Sequence, residues 1–236
     1  MSKLRIIGDV HGKRPDYLKL DNKANAEGLY TLQLGDLGFA YEYRRLLDGS
    51  FNVEMNKFFG GNHDGYNLLS KFQGGEKIPL LDQFCLGDYG LAEINGVSLF
   101  FVRGAFSIDK KYRHIGVDWF YEEEIAASEH QNILDAYKEA KPDLVVTHDC
   151  PDSIGKSFAK AEDGNAIGSP LKKPDILREF GFDPNTFSTR TQVLLENMFR
   201  IHQPKKWVFG HYHRDWTTFE EGTEFRCLNE LHFTDV

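Results

Sequence analysis

Short apolar runs alternate with longer, mostly polar stretches along the whole chain, from Leu4–Ile7 to Thr223–Leu228. Strand-length runs separated by helix-compatible segments predict an α/β fold. Leu4–Ile7, Tyr30–Leu34 and Met55–Phe59 read as strands, and Pro15 sits where a first helical turn begins, opening a helix to about residue 24. Tyr89–Ile94 and Val97–Arg103 flank Asn95-Gly96, a pair favoured in type I′ hairpins. Trp119–Ala140 reads as helix in one or two pieces, Leu144–Thr147 as a buried strand and Thr189–His202 as another helix. Trp207–Phe209, Trp216–Phe219 and Thr223–Leu228 are further strands, the last two joined at Glu221-Gly222. Between Pro151 and Ser188 few residues keep a period, and a stretch that long without regular structure is usually functional or mobile. No repeat, low-complexity tract or Pro/Ser-rich linker interrupts the pattern, so one domain over residues 1–236 is expected.

Charge narrows the partners. With 28 Lys+Arg against 36 Asp+Glu the chain is formally −8, which argues against coating nucleic acid or anionic membrane through bulk charge. A local cationic site remains compatible with that balance. No apolar run reaches the ~18 residues a spanning helix needs. Met1–Ile7 runs too quickly into Gly8-Asp9 for a signal peptide. Cys85, Cys150 and Cys227 form neither a disulfide framework nor a zinc spacing, which suits a reducing compartment. A soluble, cytoplasmic protein with no membrane partner is expected; the oligomeric state stays open.

The chemistry sits at the strand ends. Leu4–Ile7 leads into Gly8-Asp9-Val10-His11, Tyr30–Leu34 into Gly35-Asp36, and Phe58-Phe59 into Gly60-Gly61-Asn62-His63-Asp64. Leu144–Val146 leads into Thr147-His148-Asp149, and Trp207–Phe209 into Gly210-His211-Tyr212-His213. Ligands of open α/β sheets bind beyond the carboxyl ends of strands. In extended chain, residues i and i+2 point the same way, so Asp9/His11 and His211/His213 can act as pairs. Taken singly, each triplet is ordinary turn chemistry; five in order are not. Asp9, His11, Asp36, Asn62, His148, His211 and His213 are too many for one tetrahedral zinc. They suit two divalent metals sharing a bridging carboxylate, and their mixed N/O character favours Mn, with Fe, Zn or Ni as alternatives.

These blocks, over residues 8–213, resemble the signature of the calcineurin-like metallophosphoesterase superfamily, and the segment Phe101–Lys110, followed by Arg113 and Trp119–Glu123, resembles a stretch found in its bacterial and phage members. The resemblance implies a four-layer α/β/β/α sandwich of two mixed β-sheets flanked by helices. It implies one metal on Asp9, His11, Asp36 and His213, and a second on Asp36, Asn62, His148 and His211. It also implies hydrolysis of phosphate esters, monoester or diester, by a metal-bridging hydroxide, with His63 as general acid. Asp64 is placed to orient His63 and raise its pKa. Arg103 and Arg113 are candidates to fork onto a substrate phosphate, and residues 152–188, with Lys156, Lys160, Lys172 and Lys173, to form a substrate rim. Tyr41, Tyr66, Phe106 and Tyr212 lie beside the motifs and could stack a base, which keeps a nuclease or cyclic-nucleotide phosphodiesterase in view. A protein phosphatase is disfavoured, because Gly35-Asp36-Leu37-Gly38-Phe39-Ala40 lacks that branch's second Asp and its Arg. A non-catalytic scaffold ranks last, since no histidine of the set is missing.

Overall fold

The computed structural model describes residues 3–38, 52–77, 81–160, 171 and 173–236. Strands β1 (Leu4–Ile7), β2 (Tyr30–Gln33) and β3 (Asn56–Phe58) are parallel, with Ile6 opposite Leu32 and Leu32 opposite Lys57. The second sheet holds β4 (Tyr89–Ile94), β5 (Val97–Val102), β6 (Leu144–Thr147), β7 (Lys206–Phe209), β8 (Trp216–Glu220) and β9 (Thr223–Cys227). Its spatial order is β4-β5-β6-β7-β9-β8; the β5–β6, β6–β7 and β7–β9 pairs are parallel and the two outer pairs antiparallel. Strand β10 (Phe233–Asp235) returns to pair antiparallel with β1. Both sheets are therefore mixed.

Period-two alternation sorts the side chains into layers. Leu99 and Phe101 of β5, Val146 of β6 and Val208 of β7 pack with Leu4, Ile6 and Leu32 in the cluster between the sheets. Their sequence neighbours Phe100, Val145, Trp207 and Phe209 face outward, against α4 (His130–Ala140), α5 (Asp152–Lys160) and α7 (Arg190–Ile201). On the far side, α1 (Arg14–Ala26) and α2 (Tyr66–Gln73) cover the other sheet through Tyr17, Leu18 and Leu69, and α3 (Leu81–Phe84) adds Leu81 and Phe84. Helix, sheet, sheet, helix is the expected four-layer order. Burying each such Leu, Ile or Phe is worth about 1.5–3 kcal/mol.

Local rules explain most boundaries. Asn95 and Gly96 take φ of 51° and 73°, as a type I′ turn requires. Thr189 accepts from the Gln192 N–H while the Gln192 side chain accepts from the Thr189 N–H, so a capping box opens α7. Two expectations need correction. Only His130–Ala140 of the segment 119–140 is α-helix; Tyr121–Glu123 and Ala127–Glu129 are 3₁₀ turns. The cause is Glu123, whose carboxylate turns inward to accept from the Phe120 N–H and from Arg113. Likewise the stretch 152–188 is not irregular throughout. It carries α5 and α6 (Pro174–Glu179), and Ile154 and Phe158, four residues apart, bury one face of α5. Among the described residues no helix is long and apolar enough to cross a membrane. The three cysteines are buried free thiols.

Candidate metal centre

All seven expected ligands lie just past the carboxyl ends of β1, β2, β3, β6 and β7. The backbone turns there in an unusual way. His11, Asp36, His211 and His213 have φ of 47°, 54°, 68° and 51°, a left-handed conformation that costs a non-glycine residue about 1–2 kcal/mol. These turns, rather than extended chain, aim the side chains. His213 joins Asp9 and His11, whereas His211 stands beside His148, so the two histidines of one motif serve different clusters. Glycines let the loops meet. A Cβ on Gly61 would lie 2.8 Å from His148 Cε1 and closer still to Asp36, and one on Gly35 would lie 2.7 Å from the Gly61 Cα.

Two donor groups result, one of Asp9, His11, Asp36 and His213 and one of Asp36, His148 and His211, with the ligand atoms of each within 4.8 Å of one another. Asp36 belongs to both. In the first, His11 Nε2 and His213 Nε2 are 2.8 Å apart, with Asp9 Oδ2 at 3.7 and 3.2 Å from them respectively. In the second, His148 Nε2 lies 3.3 Å from Asp36 Oδ1 and 3.0 Å from Asn62 Oδ1. The Nδ1–H of His148 donates to the Leu34 carbonyl at 2.8 Å, which leaves Nε2 facing the centre, where it ligates once a cation replaces its proton. Convergent imidazole, carboxylate and amide-oxygen donors, with Asp9, Asp36, Asn62, His148 and His211 buried and His11 and His213 half-buried, suit borderline divalent cations, which would replace the imidazole protons. The residues fit the metals that the motif pattern implies.

The charges agree. Burial pushes the Asp36 carboxyl up, but His148, His63 and His11 outweigh it and hold Asp36 well below the usual carboxylate range. Burial likewise opposes ionisation of Asp9, and His11, His213 and His148 reverse the effect. Burial disfavours the His148 cation, yet Asp36 and Asp9 raise its pKa to about 10. His211, buried beside His148, falls to about 3 and stays neutral. The carboxylates are thus ionised at any ordinary pH.

Other expected residues fall differently. His63 is partly exposed and lines a cleft of about 140 Å³ with Asp36, Asn62, Ile108, Asp109, Lys173, His211 and His213. Asp64 does not orient it. Its carboxylate is buried and accepts from the Gly38 and Gly61 N–H groups at 3.0 and 2.8 Å, pinning two loops together. The carboxylate facing the His63 ring is Asp109, 3.7 Å from Nε2. Arg103 is a correction too: it is buried and engages Asp88, the Tyr66 hydroxyl and the Glu122 carbonyl, away from the cleft. Arg113 is spent on Glu123, Ser107 and the carbonyls of Asn62 and Asp118. Tyr66, Phe106 and Tyr212 are buried, so none offers a face for a base, and Tyr41 lies outside the described residues. Of the rim lysines, Lys173 reaches the cleft, Lys156 pairs with Asp152, and Lys172 lies outside the described residues.

Sequence reasoning missed four polar residues around the centre. Glu230 Oε1 stands 3.6 Å from His213 Nδ1. Asp109 faces His63, while Ser107 and Glu123 stand behind Asn62. None belongs to a strand-end motif. Ser107, Asp109 and Glu123 fall in the segment 101–123 that resembles a stretch of bacterial and phage members, where no role was assigned to them, and Glu230 carried no signal.

The chain matches the calcineurin-like phosphoesterase family over residues 2–215. It is 24% identical over 277 residues to a lariat debranching enzyme of Entamoeba histolytica, an alignment covering 99% of this chain and 70% of that protein. Among solved structures it resembles the phosphopantetheinyl hydrolase of Mycobacterium tuberculosis, with a TM-score of 0.42, 15% identity and coverage of 99% and 95% of the two chains. It also resembles a 5′-nucleotidase precursor from Thermus thermophilus, with a TM-score of 0.47, 14% identity and coverage of 97% and 48%. With the family matched across nearly the whole chain, and with donors grouped where its strands end, this chain belongs to the calcineurin-like phosphoesterase family and is a hydrolase of phosphoric esters.

Proposed function

We propose that the protein is a dinuclear-metal hydrolase of phosphate esters, with manganese as the preferred ion at both positions. The observation that carries this reading is the pair of donor groups sharing Asp36. Asp9, His11, Asp36 and His213 would hold one ion, and Asp36, Asn62, His148 and His211 the other. Two bound divalent ions supply a water acidified toward neutral pH and positive charge for an in-line displacement at phosphorus. His63 reaches the cleft without belonging to either donor group, and serves as the acid that protonates the leaving oxygen. Asp109 faces its ring from the same cleft. Lys173 adds a cationic group at the mouth, suited to an anionic ester.

Similarity to a lariat debranching enzyme favours a diester, nucleic acid or nucleotide, over a monoester. Purified protein reconstituted with Mn²⁺ decides, assayed on an aryl phosphodiester and an aryl phosphomonoester with metal content measured. Two ions per chain and diester preference are expected. His63→Ala keeps both ions and loses roughly 10²–10⁴-fold in turnover. If His63→Ala sheds an ion, His63 is a ligand and the acid assignment fails.

A further inference from the structure

Only one end of an asparagine side chain can hold a cation. Oδ1 has lone pairs, whereas the Nδ2 amine offers only protons. The amide of Asn62 must therefore face one way, and nothing in the motif around it sets that direction. The setting comes from a residue far along the chain. Asn62 Nδ2 donates to Ser107 Oγ at 2.9 Å, and Asn62 Oδ1 is left toward His148 Nε2 at 3.0 Å.

Ser107 can accept because its single proton is committed elsewhere. Its hydroxyl donates to Glu123 Oε2, and its oxygen also accepts from Arg113 Nη1 at 2.8 Å. Glu123 in turn accepts at Oε1 from Arg113 Nη2 at 2.7 Å and from the Phe120 N–H at 3.1 Å. Arg113 Nη2 reaches back to the Asn62 carbonyl at 3.2 Å, so one guanidinium spans both the main chain and the partner of the asparagine. Ser107 and Glu123 are buried, and Gly104, at φ 83°, leaves no room for a Cβ against the Glu123 carbonyl. Burial pushes the Glu123 carboxyl up to about 8 even with the Arg113 guanidinium, the Ser107 hydroxyl and the Phe120 N–H drawing it the other way. The donors themselves give the relay one polarity: Arg113 Nη2 and the Phe120 N–H donate to Oε1, Arg113 Nη1 and the Asn62 amide donate to Ser107 Oγ, and the single hydroxyl proton goes to Oε2.

We propose that Glu123, Arg113 and Ser107 form a clamp that fixes the amide of Asn62 with its oxygen toward the second ion, making Ser107 a positioning residue for metal binding. This rests on the reading of Asn62 as a ligand. It explains why a buried Arg–Glu pair sits here, a costly arrangement that well-packed apolar residues could replace with no loss of stability.

The test is calorimetric titration of chelator-stripped protein with Mn²⁺, which reads affinity without turnover. Ser107→Ala should weaken one of two sites about 10–100-fold and leave the other unchanged. Ser107→Thr, which keeps the hydroxyl, should restore it. In an Asn62→Ala background, Ser107→Ala should have no further effect, because the amide it orients is gone. A wild type binding fewer than two ions defeats the dinuclear reading itself. Two wild-type sites with one weakened in Asn62→Ala but intact in Ser107→Ala overturn the clamp alone. So does equal weakening of both sites, or additivity in the double variant, which marks a general structural role. Glu123→Gln, whose amide can donate to Ser107, should fall on the weak side too; unchanged affinity there contradicts the relay's polarity.

Discussion

Two buried carboxylate sites sit at opposite poles of one sheet and have opposite settings. At the carboxyl ends of β1 and β2, Asp9 and Asp36 are ringed by His11, His63, His148 and His213, which outweigh burial and keep both ionised. At the starting ends of β2 and β3, Asp21 of α1 accepts from Thr31 Oγ1 and Asn56 Nδ2, both at 2.7 Å. Among the described residues no cation answers it, and burial pushes its carboxyl up to about 7. Burial is common to both; what differs is what surrounds the oxygens. Neutral donors satisfy Asp21 and tie α1 to the strands, so it is a fastening. Around Asp9 and Asp36 the partners are imidazoles, which hold exchangeable protons that a divalent ion can displace, so that pole is built to receive cations.

The sharpest way to break the contrast is Asp36→Asn. If Asp36 bridges, this variant loses both ions and essentially all hydrolysis. Mn²⁺ at a hundred times Kd should stabilise the wild type by about 2.7 kcal/mol for each ion bound. That is a thermal shift of roughly 5–10 °C for a chain of this size. The shift should vanish in Asp36→Asn. A variant that still gains it would make Asp36 a second fastening like Asp21.

Glycines at the two poles give a subtler contrast. A Cβ on Gly61 collides with Asp36 and stands 2.8 Å from His148, whereas one on Gly28, after α1, meets nothing within 4 Å. Gly28 has φ 77°, so Gly28→Ala costs about 1–2 kcal/mol of backbone strain and leaves Mn²⁺ affinity alone. Gly61→Ala costs a similar amount through overpacking and should also lower Mn²⁺ affinity at least about 10-fold, read by the same titration. Equal metal affinity in the two variants would mean the loops at the centre yield to the intruding methyl.

The ligand pole was more legible in the sequence than the fastening pole, for a physical reason. Each ligand follows an apolar run directly, because a strand end must turn sharply before presenting a donor, and short-range spacing records that. The layers came from the family resemblance alone, since β6 and most of β7 are buried on both faces and show no alternation of apolar and polar residues. The turns were not legible: the family resemblance assigned each histidine to its cluster, but local spacing suggested extended chain where His11, His211 and His213 take left-handed conformations. Asp64 shows the limit. Adjacency to His63 suggested a partnership, but its carboxylate is captured by Gly38 and Gly61, brought near by the meeting of two loops. Asp21, Ser107, Glu123 and Glu230 are set by contacts between residues distant in the chain, and such polar pairings leave no period in the sequence.

The smallest effect on activity, and the best test of the fastening, is Asp21→Asn. An acid whose folded pKa lies near 7, above an unfolded value of about 3.9, holds its proton more tightly in the folded state. Its contribution to stability is therefore full below pH ~4 and is lost as pH rises toward 7. Asparagine does not titrate. The thermal midpoint of chelator-treated wild type should fall relative to Asp21→Asn as pH increases from about 4.5 to 8, while the other ionisable groups largely cancel in the difference. At low pH the wild type should be the more stable, since Asn cannot accept from both Thr31 and the Asn56 amine. At high pH the gap should close or reverse, because the wild type then buries a charge without a cation beside it. Hydrolysis and Mn²⁺ affinity should be unchanged throughout. Parallel curves would mean that Asp21 stays ionised in the folded chain, and the two poles would then differ only in whether metal arrives.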